Sequence, residues 1–131
     1  MPKTADDIET MLLNLGRHFE KADGGTTTFL TRSSSGALIA IRVSPPIVAI
    51  HVGIGPAPKD EAHALRIFRR LLELNATDLM HAAYGLEQGN IVLSAALALE
   101  NLDANELEVT LSDIDLALVQ HTKELAHSVR D

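Results

Sequence analysis

Residues 79–99, LMHAAYGLEQGNIVLSAALAL, contain the clearest folding signal in the chain. Two apolar segments, 79–87 and 91–99, flank the short polar stretch Gln88-Gly89-Asn90. Two apolar runs around a turn that contains glycine predict an antiparallel β-hairpin. Alanine, which prefers helices, is frequent in both segments, but their shortness and the position of the turn favour strands.

Three more β segments are predicted N-terminal to this hairpin, at 26–32, 37–43 and 47–54. A serine-rich stretch with a glycine at 33–36 separates the first two, and Ser44-Pro45-Pro46 separates the second from the third. Such residues interrupt strands, since proline cannot donate to a sheet ladder. Because these connections are too short for a crossover helix, the three strands are predicted to pair as an antiparallel meander.

Three amphipathic helices are predicted where apolar residues recur at spacings of three and four, at 4–19, 59–74 and 104–129. Thr4 is placed to cap the first helix, and Asp103 with Glu106 has the capping-box spacing at the start of the last. The order α-β-β-β-α-β-β-α groups the strands instead of alternating them with helices. It predicts an α+β fold in which helices pack an antiparallel sheet.

The composition excludes several classes of function. Lys and Arg number 11 and Asp and Glu 18, which gives a formal net charge of −7 and disfavours contact with nucleic-acid phosphates. The chain has no Cys, so a disulfide framework, a thiolate nucleophile and a Cys-ligated metal are excluded. With 131 residues, 46% of them hydrophobic, it is predicted to form a single domain over residues 1–131.

Membrane insertion and export are not predicted. No apolar run approaches the roughly 18 residues that span a bilayer. The N-terminal residues MPKTADD become acidic at once and lack the apolar segment of a signal peptide. We therefore expect a cytoplasmic protein with no membrane partner.

The histidines are the first candidates for chemistry, but none of the six forms a compact metal-binding motif. His51 and His81 lie on predicted strands and could approach each other, which leaves open a small enzyme or ligand-binding site. The simpler interpretation is that they are ordinary surface or boundary residues. Many acidic residues fall in first helical turns, where the helix dipole favours them. The sequence therefore predicts no enzyme, no catalytic residue, no cofactor and no metal site.

The second predicted helix, 59–74, carries more apolar surface than one core can bury. Its main apolar stripe consists of Ala64, Leu65, Phe68, Leu71 and Leu72. Ile67 and Leu74 lie off that stripe. A helix that is apolar on two sides needs two packing partners, and one of them can be another chain.

Segments 68–75 (FRRLLELN), 84–93 (YGLEQGNIVL) and 97–103 (LALENLD) carry a resemblance to a known family. Together with the element order, they resemble the type III secretion chaperones of the Tir-chaperone (CesT-like) family, in which a Leu-rich second helix ends in Leu-x-x-Asn. The resemblance implies a non-enzymatic homodimeric chaperone. Such a protein binds an extended segment of a secreted effector and keeps it soluble and secretion-competent.

The resemblance also implies where the two partners bind. It assigns the subunit contact to the second helix and the strands that follow, where we expect it at Leu65, Phe68, Leu72 and Tyr84. A client would bind at exposed apolar patches and unpaired strand edges, and for this role we expect Phe29, Leu38, Ile39 and Ile47. The alternative is a regulatory or structural protein-interaction module of the same fold with no role in secretion, because a fold does not determine a function.

Overall fold

The computed structural model describes residues 1–22 and 27–130, and for residue 122 and residues 126–130 it describes the backbone only. The elements in these ranges are α1 (Ala5–Asn14), β1 (Phe19–Lys21), β2 (Thr28–Arg32), β3 (Leu38–Ser44), β4 (Ile47–Pro56), α2 (Glu61–Thr77), β5 (Ala83–Glu87), β6 (Asn90–Ala98) and α3 (Ala104–Arg130). The predicted α+β fold and element order are confirmed, with β1 as an additional strand. The predicted strand start at residue 26 lies outside the described residues. Across the described ranges, no helix is both long and apolar enough to cross a membrane.

The strands form one six-stranded antiparallel sheet in the order β1-β2-β3-β4-β6-β5. The predicted meander of β2, β3 and β4 is confirmed, and Ile41 of β3 lies between Phe29 of β2 and Ile50 of β4. β4 then pairs with β6, so that the last hairpin joins the sheet through its second strand. Within the described chain, β1 and β5 are therefore the two edges of the sheet.

The predicted hairpin is confirmed, with a tight turn between β5 and β6. Gln88 and Gly89 have φ angles of 51° and 80°, and Glu87 pairs with Asn90 across the turn. Two consecutive residues with positive φ are typical of a type I′ turn, whose twist matches that of the strands. β5 begins at Ala83 and not at residue 79, because the preceding backbone binds a helix side chain described below.

The first helix is shorter than predicted. It ends at Asn14, and not at residue 19, because the chain reverses at Gly16 with a φ of 74°. Phe19 belongs instead to β1, where it pairs with Thr31 of β2. Its ring meets Phe29 edge-on, with centroids 5.6 Å apart. Phe19 thus fits the helical spacing in the sequence but packs against the core from a strand.

The helices begin at capping residues, as the sequence predicts. Thr4 accepts a hydrogen bond from the Asp7 N–H, and the Asp7 carboxylate accepts one from the Thr4 N–H. Asp103 and Glu106 exchange the same two bonds at the start of α3. These reciprocal bonds satisfy amide groups that the first helical turn leaves without a partner. Both predicted caps are confirmed.

All three helices pack on one face of the sheet and share one core. The helical members of that core are Ile8, Leu12, Ile67, Leu71, Leu74, Leu107, Leu111, Ile114, Ala117, Leu118 and Leu125. The strands contribute alternate residues, among them Ile39, Ile41, Val48 and Ile50. The residues between these point to the opposite face, which no element in the described part of the chain covers.

Candidate functional site

An apolar groove lies between α2 and the edge strand β5. It encloses about 290 Å³, and its lining includes Phe68, Leu71, Leu72, Asn75, Tyr84 and Leu86. Three of the four residues predicted for a subunit contact, Phe68, Leu72 and Tyr84, thus lie together. The fourth, Leu65, is seven residues before Leu72 and therefore lies about two helical turns away on the same side of α2.

The residues of this groove differ in how far they project. The Leu65 and Leu72 side chains are each 68% exposed, and Leu86 is 54% exposed. Tyr84 is only 7% exposed, so it forms part of the groove floor. A row of leucines this exposed is unusual on a protein surface and is typical of an interaction site.

A buried hydrogen-bond network holds the groove floor in place. The Tyr84 hydroxyl lies 2.8 Å from Nδ1 of His121, and Nε2 of His121 lies 3.0 Å from Oδ2 of Asp78. Burial, followed by the nearby carboxylates of Asp78 and Glu124, raises the pKa of the Tyr84 phenol above its ordinary value of 10.0. The phenol therefore keeps its proton. The Asp78 carboxylate can only accept, so Nε2 is assigned the hydrogen of the bond between them, and in that tautomer Nδ1 accepts from the Tyr84 hydroxyl. The ring then donates its Nε2–H to Asp78, so α3, β5 and the end of α2 are tied together.

This network was not predicted from the sequence. Asp78 and His121 are 43 residues apart, and no local spacing connects them. The signal in the sequence was His121, which lies within the apolar stripe of the last helix. In the structure this histidine is 3% exposed. A polar side chain on a buried helical face needs a hydrogen-bond partner, which identifies it as part of a network but does not name the partner.

Removal of the Tyr84 hydroxyl is expected to destabilise the fold. Tyr84→Phe leaves Nδ1 of His121 buried without its donor, and a buried group left in this state costs about 1–3 kcal/mol. The measurement is urea unfolding at neutral pH. Ser112→Ala removes an exposed hydroxyl from α3 and is expected to change the unfolding free energy by less than about 0.5 kcal/mol. Equal unfolding midpoints for Tyr84→Phe and the wild type would contradict the role of the network.

Asp78 is expected to contribute to stability in a pH-dependent way. The hydrogen bond from His121, and then that from the Thr77 hydroxyl, lower the pKa of Asp78 from its ordinary value of 3.8. Because the folded-state pKa is the lower one, ionised Asp78 stabilises the fold above the unfolded pKa. That contribution is lost as the pH falls through the folded value.

Unfolding of the wild type and Asp78→Asn between about pH 2 and pH 6 tests this expectation. The difference in unfolding free energy between the two proteins is expected to be largest at the upper end and to diminish towards the acid end. Glu108→Gln, on the exposed side of α3, is the matched control. A difference that stays constant across the range is the contrary result.

The four residues predicted to contact a client fall into two groups. Leu38 and Ile47 are 47% and 37% exposed and lie on the sheet face that no helix covers. Phe29 and Ile39 are fully buried in the core. The expectation that these two face a client is corrected here, because a side chain without exposed surface offers nothing to bind. Successive side chains along a strand point to opposite faces of the sheet, so residue 39 points inward and residue 38 points outward.

Leu38 and Ile47 mark the two ends of one stretch of sheet. Ile47 pairs with Ser44, at the far end of β3 from Leu38. Six residues at about 3.3 Å each separate Leu38 and Ser44, so the two apolar side chains are about 20 Å apart. The surface between them on β3 and β4 carries the small side chains of Ala40 and Ala49, paired with the larger polar side chains of His51 and Arg42. An extended segment can contact both ends, whereas a single small ligand cannot.

The two histidines singled out in the sequence do lie near each other. His51 and His81 line one open hollow of about 520 Å³ on the uncovered sheet face, together with Glu87. Nε2 of His51 is 3.8 Å from Oε2 of Glu87, which is too long for a hydrogen bond. Among residues 1–22 and 27–130, no three His, Asp or Glu side chains are grouped so that they could hold a metal ion. His51 and His81 therefore lie near each other without belonging to such a group among the described residues.

The fold is that of several solved structures of low sequence identity. A chain of the heterodimeric ExoU–SpcU complex from the type III secretion system of Pseudomonas aeruginosa is 17% identical, with a TM-score of 0.68 over 92% of this chain and 96% of that one. A chain from the complex of the Yersinia pestis type III secretion chaperone SycH with a fragment of YscM2 is 13% identical, with a TM-score of 0.60 over 88% and 98%. YbjN from E. coli, described as a candidate transcription regulator, is 12% identical, with a TM-score of 0.66 over 93% of each chain. At these identities the likeness establishes the fold.

The sequence comparisons establish the family. No curated protein is significantly similar to the chain. The family model CesT_Tir_1, however, matches residues 1–131 in full. This match agrees with the segments quoted from α2 and the last hairpin and with the observed element order. The chain therefore belongs to the CesT_Tir_1 family of type III secretion chaperones.

Proposed function

We propose that this protein is a homodimeric cytoplasmic chaperone that binds an extended segment of a secreted effector and keeps it soluble and secretion-competent. The observation that carries the proposal is that one chain exposes two separate apolar surfaces. One is the groove between α2 and β5, and the other is the uncovered sheet face that bears Leu38 and Ile47. Family membership and similarity to chains from effector–chaperone complexes support the same role.

The groove between α2 and β5 is the proposed contact between two copies of the chain. A twofold axis would place Leu72 and Phe68 of one copy against the same residues of the other, because a symmetric dimer uses one patch twice. Burial of apolar surface contributes about 25 cal/mol per Å² to such a contact. The exposed leucines of α2 are the residues whose burial contributes most.

The uncovered sheet face is the proposed binding surface for the client. Its two apolar ends are about 20 Å apart, which six or so residues of an extended chain can span. The edge strand β1 lies next to β2 on the same sheet. The Ala22 N–H bonds to the Thr28 carbonyl, so alternation turns the backbone groups of Phe19 and Lys21 away from β2. These groups can bind the main chain of an extended client.

The proposed mechanism needs no bond chemistry. The chaperone covers apolar side chains of the client that would otherwise associate with one another in solution. The free energy of binding is the gain from apolar burial less the cost of ordering a flexible segment. The client stays extended because the apolar ends of the surface that binds it are about 20 Å apart.

Co-purification of the client from the native cell tests the proposal. The tagged full-length chain is expected to capture one dominant protein, and hydrogen exchange of that partner is expected to show a segment that is protected only while bound. Leu38→Asp combined with Ile47→Asp is expected to lower the captured amount at least about tenfold, since each change puts a charge into an apolar contact. Leu116→Asp, on an exposed leucine of α3, is the matched control. Capture that is equal for both variants would contradict the proposed client surface.

A regulatory module with a folded partner is the second candidate function. The observation that favours it is the similarity to YbjN, described as a candidate transcription regulator, over 93% of this chain. The same capture experiment separates the two candidates. A regulatory partner would stay compact, so its free form would show the same protected core as its bound form.

A further inference from the structure

The edge of the sheet at β5 is closed by a side chain. Tyr84 pairs with Leu93 of β6, yet both of its backbone polar groups bind Asn75 on the other side. Oδ1 of Asn75 accepts the Tyr84 N–H at 2.8 Å, and Nδ2 donates to the Tyr84 carbonyl at 3.1 Å. One amide group thus makes the pair of bonds that a residue of an added antiparallel strand would make at this position.

A second side chain closes the position before it. Oδ2 of Asp113, on α3, lies 3.3, 2.9 and 3.2 Å from three consecutive backbone nitrogens, those of Met80, His81 and Ala82. Ala82 lies just before β5, so Asp113 binds the backbone at the point where the edge strand begins. Tyr84 and Leu86 follow along this edge, and alternation directs the backbone groups of both outward. Within the described residues, Leu86 is the position of the three whose outward backbone groups have no such partner.

The two edges of the sheet therefore differ in what they offer to another chain. At β1, the outward backbone groups of Phe19 and Lys21 bind no other described residue. At β5, α2 and α3 each supply a side chain that occupies such groups. Natural sheets often protect an edge in this way, because an open edge pairs with any extended segment that meets it.

We propose that Asn75 and Asp113 close the β5 edge to strand addition, so that an extended polypeptide adds to this sheet at β1 and not at β5. The excluded strand is an extended client segment or the β5 strand of a second copy. Its identity rests on the proposed function. Side-chain contacts in the groove are unaffected, because the two residues occupy main-chain groups only. Asn75 is thus a positioning residue that determines which edge accepts a partner.

The purified full-length protein, without any client, tests this proposal. Asn75→Ala is expected to speed hydrogen exchange of the Tyr84 amide about tenfold, since it removes that group's acceptor. With the edge open, the variant is expected to form assemblies larger than the wild type as its concentration rises, measured by light scattering. Asn75→Asp keeps an acceptor for the Tyr84 N–H but loses the donor to the Tyr84 carbonyl, so it is expected to retain slow exchange of the Tyr84 amide and serves as a control for exchange only. Asn105→Ala, at an exposed asparagine of α3, is the matched control.

A folded Asn75→Ala protein that keeps the wild-type size at every concentration overturns the proposal, whatever its exchange rates. Larger assemblies of Asn105→Ala, equal to those of Asn75→Ala, also overturn it. If Asn75→Ala does not fold, Asn75→Ser replaces it with the same two expected outcomes, because serine is too short to reach both backbone groups. Failure to find a client counts against the proposed function and leaves these measurements unchanged.

Discussion

Leu72→Asp is expected to convert the proposed dimer into monomers. Leu72 is 68% exposed in the single chain and lines the groove that we propose as the subunit contact. A charge at the centre of an apolar contact typically costs at least about 2 kcal/mol. Because a symmetric dimer contains the substitution twice, the expected loss is about 4 kcal/mol, or roughly a thousandfold in the dissociation constant.

Sedimentation or light scattering over a wide range of concentrations measures this loss. Leu13→Asp is the matched control, since Leu13 is a similarly exposed leucine, at 62%, but lies on α1 away from the groove. Far-UV circular dichroism checks that both variants are folded. A wild-type protein that is monomeric at high concentration, or a Leu72→Asp protein that dimerises like the control, would contradict the assignment.

Phe29→Ala is expected to cause the largest loss of stability among the changes considered. The Phe29 side chain has no exposed surface and packs edge-on against Phe19. Truncation of a buried phenylalanine to alanine costs about 3–5 kcal/mol, because it removes apolar burial and leaves a cavity. That is a large part of the 5–15 kcal/mol that stabilises a typical domain, so the variant is expected to be partly unfolded at 37 °C. Urea unfolding at lower temperature measures the change.

Leu38→Ala is the control that separates a core role from a client-binding role. Leu38 lies on the neighbouring strand and faces the opposite side of the sheet, where it is 47% exposed. Its truncation is expected to lower the unfolding free energy by less than about 1 kcal/mol. Similar stability of the two variants would show that Phe29 is not a core residue.

The exposure of the candidate residues was predicted better on α2 than on the sheet. On α2, the excess of apolar residues at helical spacing predicted a second packing partner, and the family resemblance assigned that contact to Leu65, Phe68 and Leu72. The structure leaves the Leu65 and Leu72 side chains 68% exposed, and the subunit contact itself stays a prediction. On β3, Leu38 and Ile39 are both apolar, so a period of two could not tell which one faces the helices. A shift of one residue exchanges the two faces of a strand, and the choice depends on what packs against it.

Features that depend on residues close together in the chain could be predicted before the structure was known. The capping residues Thr4 and Asp103, the turn at Gln88 and Gly89, and the apolar period of each helix act over a few residues. The tertiary structure alone decided which sheet face is buried, that Asn75 and Asp113 close the β5 edge, and that His121 joins Tyr84 to Asp78. Those features need side chains from different elements at hydrogen-bond or van der Waals distance. Distant elements reach such distances only once the common core has formed.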